Sequence, residues 1–275
     1  MRDFALAGDA FKRCFQSWRL WLIQFLVNPL LFGLFAAWLL LPVANTGHLV
    51  LNILLVLILI CAALVLQAGT LNYFYLQSRS ENAQLREVFG RALRHLFAVA
   101  VCALVAYLLW GAIGKADNYQ DTLPAYVRSI SPVFLRRHAG EPLFNGVFNA
   151  IAFALRWIVV PGLILPLITS ASCFGFRGLG RNGITTWKKA VLSLSYWGII
   201  ILSALLGVLA TEKLMGWTPD FRTSTFKGET ASLVVRLFAS YLLGLFAWML
   251  ACSAVGYGGR ELEQVPENLN GQAVA

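Results

Sequence analysis

A chain of 275 residues that is 59% hydrophobic and 13% charged holds about half the charge of an ordinary soluble domain, which excludes a water-soluble globule. Its mean hydropathy is +0.69. The 22 Lys and Arg against 13 Asp and Glu leave a net charge of +9, which in a membrane chain reads as basic span borders against anionic head groups, not as a nucleic-acid surface.

The N-terminal residues 3–18 place Phe4, Ala7, Phe11, Cys14, Phe15 and Trp18 at helical spacing, opposite Asp9, Lys12, Arg13 and Gln16. That pattern predicts a short amphipathic helix lying on a membrane surface. From Leu20 to Ser78 no Lys, Arg, Asp or Glu occurs. As one helix this stretch would be roughly 90 Å long, about three times the hydrocarbon thickness, so it must cross and return. The turn falls at residues 42–48, the polar and breaker-rich interval within it. The first two spans are therefore 20–42 and 49–74. A second amphipathic stretch, 80–95, carries Leu85, Val88, Phe89, Ala92 and Leu93 on one stripe and leads into a span at 96–114. The remaining uncharged runs predict spans at 148–170, 190–210 and 233–257, the fourth interrupted by Arg156.

The lead-ins to the odd-numbered spans rhyme. They read Phe11-Lys12-Arg13-Cys14, Phe89-Gly90-Arg91-Ala92 and Trp187-Lys188-Lys189-Ala190, each aromatic, any, basic, small. Trp21 and Trp197 follow ten residues after the first and third aromatic. The expected fold is all-α: a polytopic membrane protein of six transmembrane helices, arranged as three parallel helical hairpins with short interfacial amphipathic helices. The hairpin units are 1–79, 80–180 and 181–263 of a single integral membrane domain, with a short polar tail at 264–275. Positive-inside and aromatic-belt statistics alone would also produce such borders, so a true threefold repeat and a generic one both remain open.

Thirteen basic residues fall on the side of the termini and eight on the other, in longer loops. This predicts cytoplasmic termini in a cell inner (plasma) membrane. The absence of any Asn-X-Ser/Thr sequon favours a bacterial one. The five cysteines include no CxxC pair and read as small packing residues.

The basic-aromatic lead-in, the six spans and the closing Ala254-Val255-Gly256-Tyr257-Gly258-Gly259-Arg260-Glu261-Leu262-Glu263 resemble the membrane domain of bacterial glycerophosphodiester phosphodiesterase-type proteins and related six-helix membrane families. The resemblance implies the architecture. It implies no phosphodiesterase activity, since no such catalytic domain accompanies the spans, and the acidic residue common after the fourth span is replaced by Leu165-Pro166-Leu167-Ile168.

All thirteen carboxylates lie outside the predicted spans, and no HExxH, GxSxG or phosphate-loop pattern occurs. The reading is of a protein without a catalytic site, cofactor or metal. The intramembrane charge Arg156 is the first candidate site, with Pro161 and Pro166 downstream predicting a kinked helix. Asn145, Asn149, Gln67 and Asn72 are its expected polar neighbours. Arg156 either binds an anion or lipid head group or snorkels outward with Trp157 as belt partner. In the long external loop, Tyr126, Val127, Ile130, Val133, Phe134 and Leu135 alternate with Arg128, Arg136 and Arg137, as in a helix on the outer leaflet, and Arg136 and Arg137 are candidate head-group contacts. Two functions follow. One is a non-enzymatic scaffold, regulator or accessory subunit contacting lipids, anionic ones by charge, and other membrane proteins or copies of itself. The other is a transporter or lipid-translocating protein with an anion site near Arg156.

Overall fold

The computed structural model describes residues 2–41, 45–79, 84–116, 119, 122–134, 140–217 and 226–258, and among these it contains no strand. The first hairpin comprises α1 (Arg2–Gln16), α2 (Trp18–Leu39) and α3 (Thr46–Ser78). The second begins with α4 (Leu85–Arg94) and α5 (Leu96–Ala116), followed by the short α6 (Thr122–Ile130). It returns through α7 (Glu141–Ala154), a π-helical turn (Leu155–Val159) and α8 (Val160–Phe174), ending in a 3-10 turn (Gly175–Leu179). The third holds α9 (Arg181–Leu192) and α10 (Leu194–Ala204), a second π turn (Leu205–Ala210), α11 (Thr211–Gly216) and α12 (Phe226–Gly258).

The protein is an all-α polytopic membrane protein. Six helical segments are long and apolar enough to cross: Trp18–Leu39, Thr46–Ser78, Leu96–Lys115, Glu141–Leu179, Leu194–Gly216 and Gly228–Gly256. Between 11% and 28% of the most apolar window of each is buried inside the protein, so most of that surface faces outward, where lipid accepts it. Leu30, Phe32, Ile58, Leu104 and Val235 are examples. At 33 residues, α3 and α12 are each about 50 Å long, well beyond the ~30 Å hydrocarbon core, and must tilt or project.

Each interfacial helix is separated from its span by a single non-helical residue: Ser17, His95 and Ser193. In all three the break falls six residues after the motif aromatic. The small fourth position of the motif, Cys14, Ala92 or Ala190, is buried in every case. Helix ends leave carbonyls without partners, and at two of the breaks side chains satisfy them. Ser17 Oγ donates to Arg13 O at 2.8 Å and the Trp21 indole to Cys14 O at 2.8 Å. The Trp197 indole donates to Val191 O at 2.7 Å, while Ser193 Oγ accepts from the Tyr196 N–H as an N-cap. The two tryptophans ten residues after the motif aromatic therefore clamp the junction they follow.

The breaks correct two expected boundaries. Trp18 opens the first span and does not close the amphipathic helix, and the fifth span starts at Leu194 because Ser193 turns extended. The other spans are longer than their uncharged runs. In the second lead-in, residues 80–83 lie outside the described residues. Of the stretch expected as an outer-leaflet helix, the described residues hold α6, which ends at Ile130.

Packing is cyclic. Within each hairpin the first span lies against the second: α2 on α3, α5 on α8, α10 on α12. Each interfacial helix instead docks on the second span of another hairpin: α4 on α3, α9 on α8, and α1 on α12, closing the ring. The α4 contact seats the Phe89 ring on Gly69, where a Cβ would come within 2.3 Å of the ring. The α1 contact buries Ala10 and Cys14 with Met249, Leu250 and Cys252 of α12; at the start of α2, Leu20 joins the same cluster and Trp21 stacks on Phe246 at 6.2 Å. For α9, Trp187 Nε1 donates to Leu163 O at 3.0 Å, and Tyr196 OH from the following span donates to Gly162 O at 2.7 Å. Pro166 has no N–H, so the carbonyl four residues earlier, that of Gly162, loses its helical donor and Tyr196 replaces it. A proline in α8 thus creates the point at which the third hairpin attaches.

Candidate functional site

Arg156 sits in the π turn between α7 and α8, where the Val160 N–H reaches back five residues to Leu155 O. The irregular turn immediately precedes Pro161, while Pro166 lies inside α8, which continues to Phe174. The guanidinium carbon of Arg156 lies 3.7 Å from the centroid of the Trp110 ring in α5. Its Nη2 is 3.4 Å from the place a Cβ on Gly114 would occupy, so the missing side chain makes room for the cation. Trp157 meets Trp110 edge to face at 5.9 Å. Trp110 is about 9 Å short of Ala116, the last residue of α5, so the cluster lies toward the end of the bundle opposite the interfacial helices. This is a cation seated on an aromatic pair, worth roughly 0.5–2 kcal/mol depending on desolvation.

Arg136 and Arg137 lie outside the described residues. Arg128 pairs with Glu141 at 3.3 Å on the exposed surface, a contact worth ~1 kcal/mol at most. Gln67 and Asn72, expected beside Arg156, belong to two different polar clusters.

The first cluster joins α2, α3 and α12 within the hydrocarbon depth. Gln24, fully buried, donates to Thr70 Oγ1 at 2.5 Å and to Gln67 Oε1 at 3.4 Å. Asn28 Nδ2 donates to Gln24 Oε1 at 2.5 Å, and Gln67 Nε2 to Asn28 Oδ1 at 3.0 Å. Tyr241 OH reaches the Gln24 and Phe25 carbonyls at 3.3 and 3.2 Å. Gln24 and Asn28 are one turn apart on α2, which aims both amides at the same neighbour. The second cluster holds Asn72 of α3 against α8: Ser172 Oγ and Cys173 Sγ both donate to Asn72 Oδ1. Asn72 and Ser172 have no exposed surface. Sequence reading missed both clusters, because neutral amides leave an uncharged run uninterrupted. The i, i+4 repeat of Gln24 and Asn28 was the available signal.

At the interfacial end, α4 meets the 3-10 turn. Gly175 has φ 66°, and a Cβ there would approach His95 Nδ1 to 2.8 Å, so both backbone sign and space require glycine. On α1, burial pushes the Cys14 thiol up from 9.0 to about 12. A raised thiol favours the neutral form when folded. That contribution is complete below pH 9 and is lost as pH climbs from there through about 12. In a variant keeping Cys14 as its sole cysteine, maleimide labelling at pH 8 should be slow while the protein is folded and fast once it is unfolded. Rapid labelling of the folded protein would refute the packing of α1 on α12.

No group of three or more His, Cys, Asp or Glu that could hold a metal ion occurs among the described residues. The site chemistry on view is a stacked cation at Arg156, exposed cations along α1, α4 and α9, and neutral hydrogen bonding inside the bundle. Comparison with protein-family models, curated proteins and solved structures finds no match to this chain.

Proposed function

We propose that this is a non-catalytic multi-pass protein of a bacterial inner membrane, with both termini cytoplasmic, that serves as a scaffold, regulator or accessory subunit. Its contacts would be with anionic lipids and with other membrane proteins or further copies of itself. The observation that supports this reading is the set of interfacial helices. Lys12 and Arg13 on α1, Arg86 and Arg94 on α4, and Lys188 on α9 are all exposed, on three helices that lead into parallel spans. Cations so placed lie at head-group level, where each is worth about 1 kcal/mol against an anionic surface.

Purified protein offered equal phosphatidylglycerol and phosphatidylcholine should retain the anionic lipid in native mass spectrometry. Reversing Lys12, Arg13, Arg86, Arg94 and Lys188 to Glu should weaken retention by roughly fivefold per charge, and high salt should act in the same direction. Equal retention of the two lipids would sink the proposal.

The competing proposal is a transporter or lipid-translocating protein that captures an acidic group at Arg156. The stacking of its guanidinium on Trp110 supports an anchor instead. Arg156→Leu separates them: a scaffold keeps its fold and its lipid preference, whereas a transporter loses anion capture.

A further inference from the structure

The amide cluster between α2, α3 and α12 holds more donors than its own acceptors consume. Gln24 uses its NH2 on Thr70 and Gln67. The three side-chain carbonyl oxygens of Gln24, Gln67 and Asn28 each already accept a bond. Asn28 and Gln67 each retain an N–H beyond the one they donate, because a primary amide carries two. Nearby on α12, Trp248 Nε1 is buried and no protein group accepts from it. Asn28, Gln67 and Trp248 line the same cavity of about 480 Å³, completed by Tyr241 and Gly244. It adjoins a second space of about 850 Å³ that shares Asn28 and Tyr241 and is otherwise walled by apolar residues such as Phe25, Phe32 and Phe238.

We infer that this cleft is a binding site for a neutral, membrane-dissolved molecule that carries carbonyl oxygens beside an apolar ring or chain. Its oxygens accept from Trp248, Asn28 and Gln67, and its apolar part fills the aromatic-walled space. The chemistry selects this class. No charged side chain lines either space, and Asn28 lies about 15 Å along α2 from Trp18, near mid-membrane, so a phosphate or carboxylate has nothing to offset its burial. A ligand that offers only donors meets donors. A pure hydrocarbon leaves the indole and amide hydrogens unsatisfied. Quinones and phosphate-free acylglycerols both offer the required carbonyls at that depth.

The test uses full-length protein in detergent with three probes: decylubiquinone, dioctanoylglycerol and dodecylbenzene, the last without carbonyls. Melting temperature and bound mass are read together. At least one carbonyl probe should bind and raise the melting temperature by several degrees, and dodecylbenzene should not; the probe that acts identifies the source. Trp248→Phe keeps an aromatic ring and removes the donor, and should weaken binding about tenfold. Gly244→Leu guards against a folding artefact. A Cβ there meets nothing within 4 Å, so the leucine should fill the cavity and abolish binding while the unliganded protein melts no lower than wild type. No shift with either carbonyl probe, an equal shift with dodecylbenzene, or undiminished affinity in both variants would overturn the site.

Discussion

Gly256→Val should destabilise the folded protein by about 1–3 kcal/mol and lower its melting temperature in detergent accordingly. Gly256 lies on α12 where it crosses α3, the most extensive helix pair among the described residues. A Cβ at this position would stand 2.5 Å from Phe74 O and 2.8 Å from Phe74 C. Those are helical backbone atoms, so no rotamer change relieves the contact and the two helices must part. Parting them loosens the close packing on which membrane helix association depends, since lipid tails offset little of the lost contact. Gly256→Ala should act in the same direction with a smaller effect. The control lies on the same helix: Gly244→Ala, in open space, should be neutral or stabilising by up to ~1 kcal/mol through helix propensity. If thermal unfolding ranks the two glycines alike, the close crossing is not what constrains Gly256.

Gln24→Leu should cost about 2 kcal/mol. Single interhelical hydrogen bonds in membranes average only ~0.6 kcal/mol, because the unfolded helices find other partners. Gln24 is different in degree: it is fully buried and serves Thr70, Gln67 and Asn28 at once, so its removal strands several groups that water cannot reach. The discriminating experiment adds Asn28→Leu and Thr70→Val to Gln24→Leu. An apolar patch with fewer stranded groups should recover part of the loss, giving a clear coupling energy. Additive losses across the series would mean that these side chains do not act as a network.

The spans were legible because an uncharged run of helical length has no other stable solution in this composition, and all six appear where such runs lie. Their ends were not. At the fifth span the apolar residues Ala190, Val191 and Leu192 are continuous with Leu194 onward, so composition merges the interfacial helix with the span. The separation depends on Ser193 turning to cap α10, a local hydrogen-bond choice. The fourth span extends back to Glu141 because Pro142 starts a helix well and an acidic residue suits its first turn. Arg156 was visible as a charge within a span, yet its seat was not: Trp110 read as one belt aromatic among many, and only the packing of α5 on α8 puts its ring under the guanidinium. Which helix each lead-in would dock against was equally hidden, since the motif specifies an amphipathic face and not its partner.

The closure of the ring by α1 on α12 fixes an order of assembly. Helix α1 leaves the ribosome well before α12, on which its binding surface lies. At about 5–20 residues per second, the chain between them takes roughly 10 to 50 s to synthesise. Throughout that interval α4 and α9 can seat as soon as α3 and α8 are inserted, while α1 waits at the lipid surface with Ala10 and Cys14 uncovered. Helix α1 thus acts as a latch: its docking is possible only once α12 is already in place.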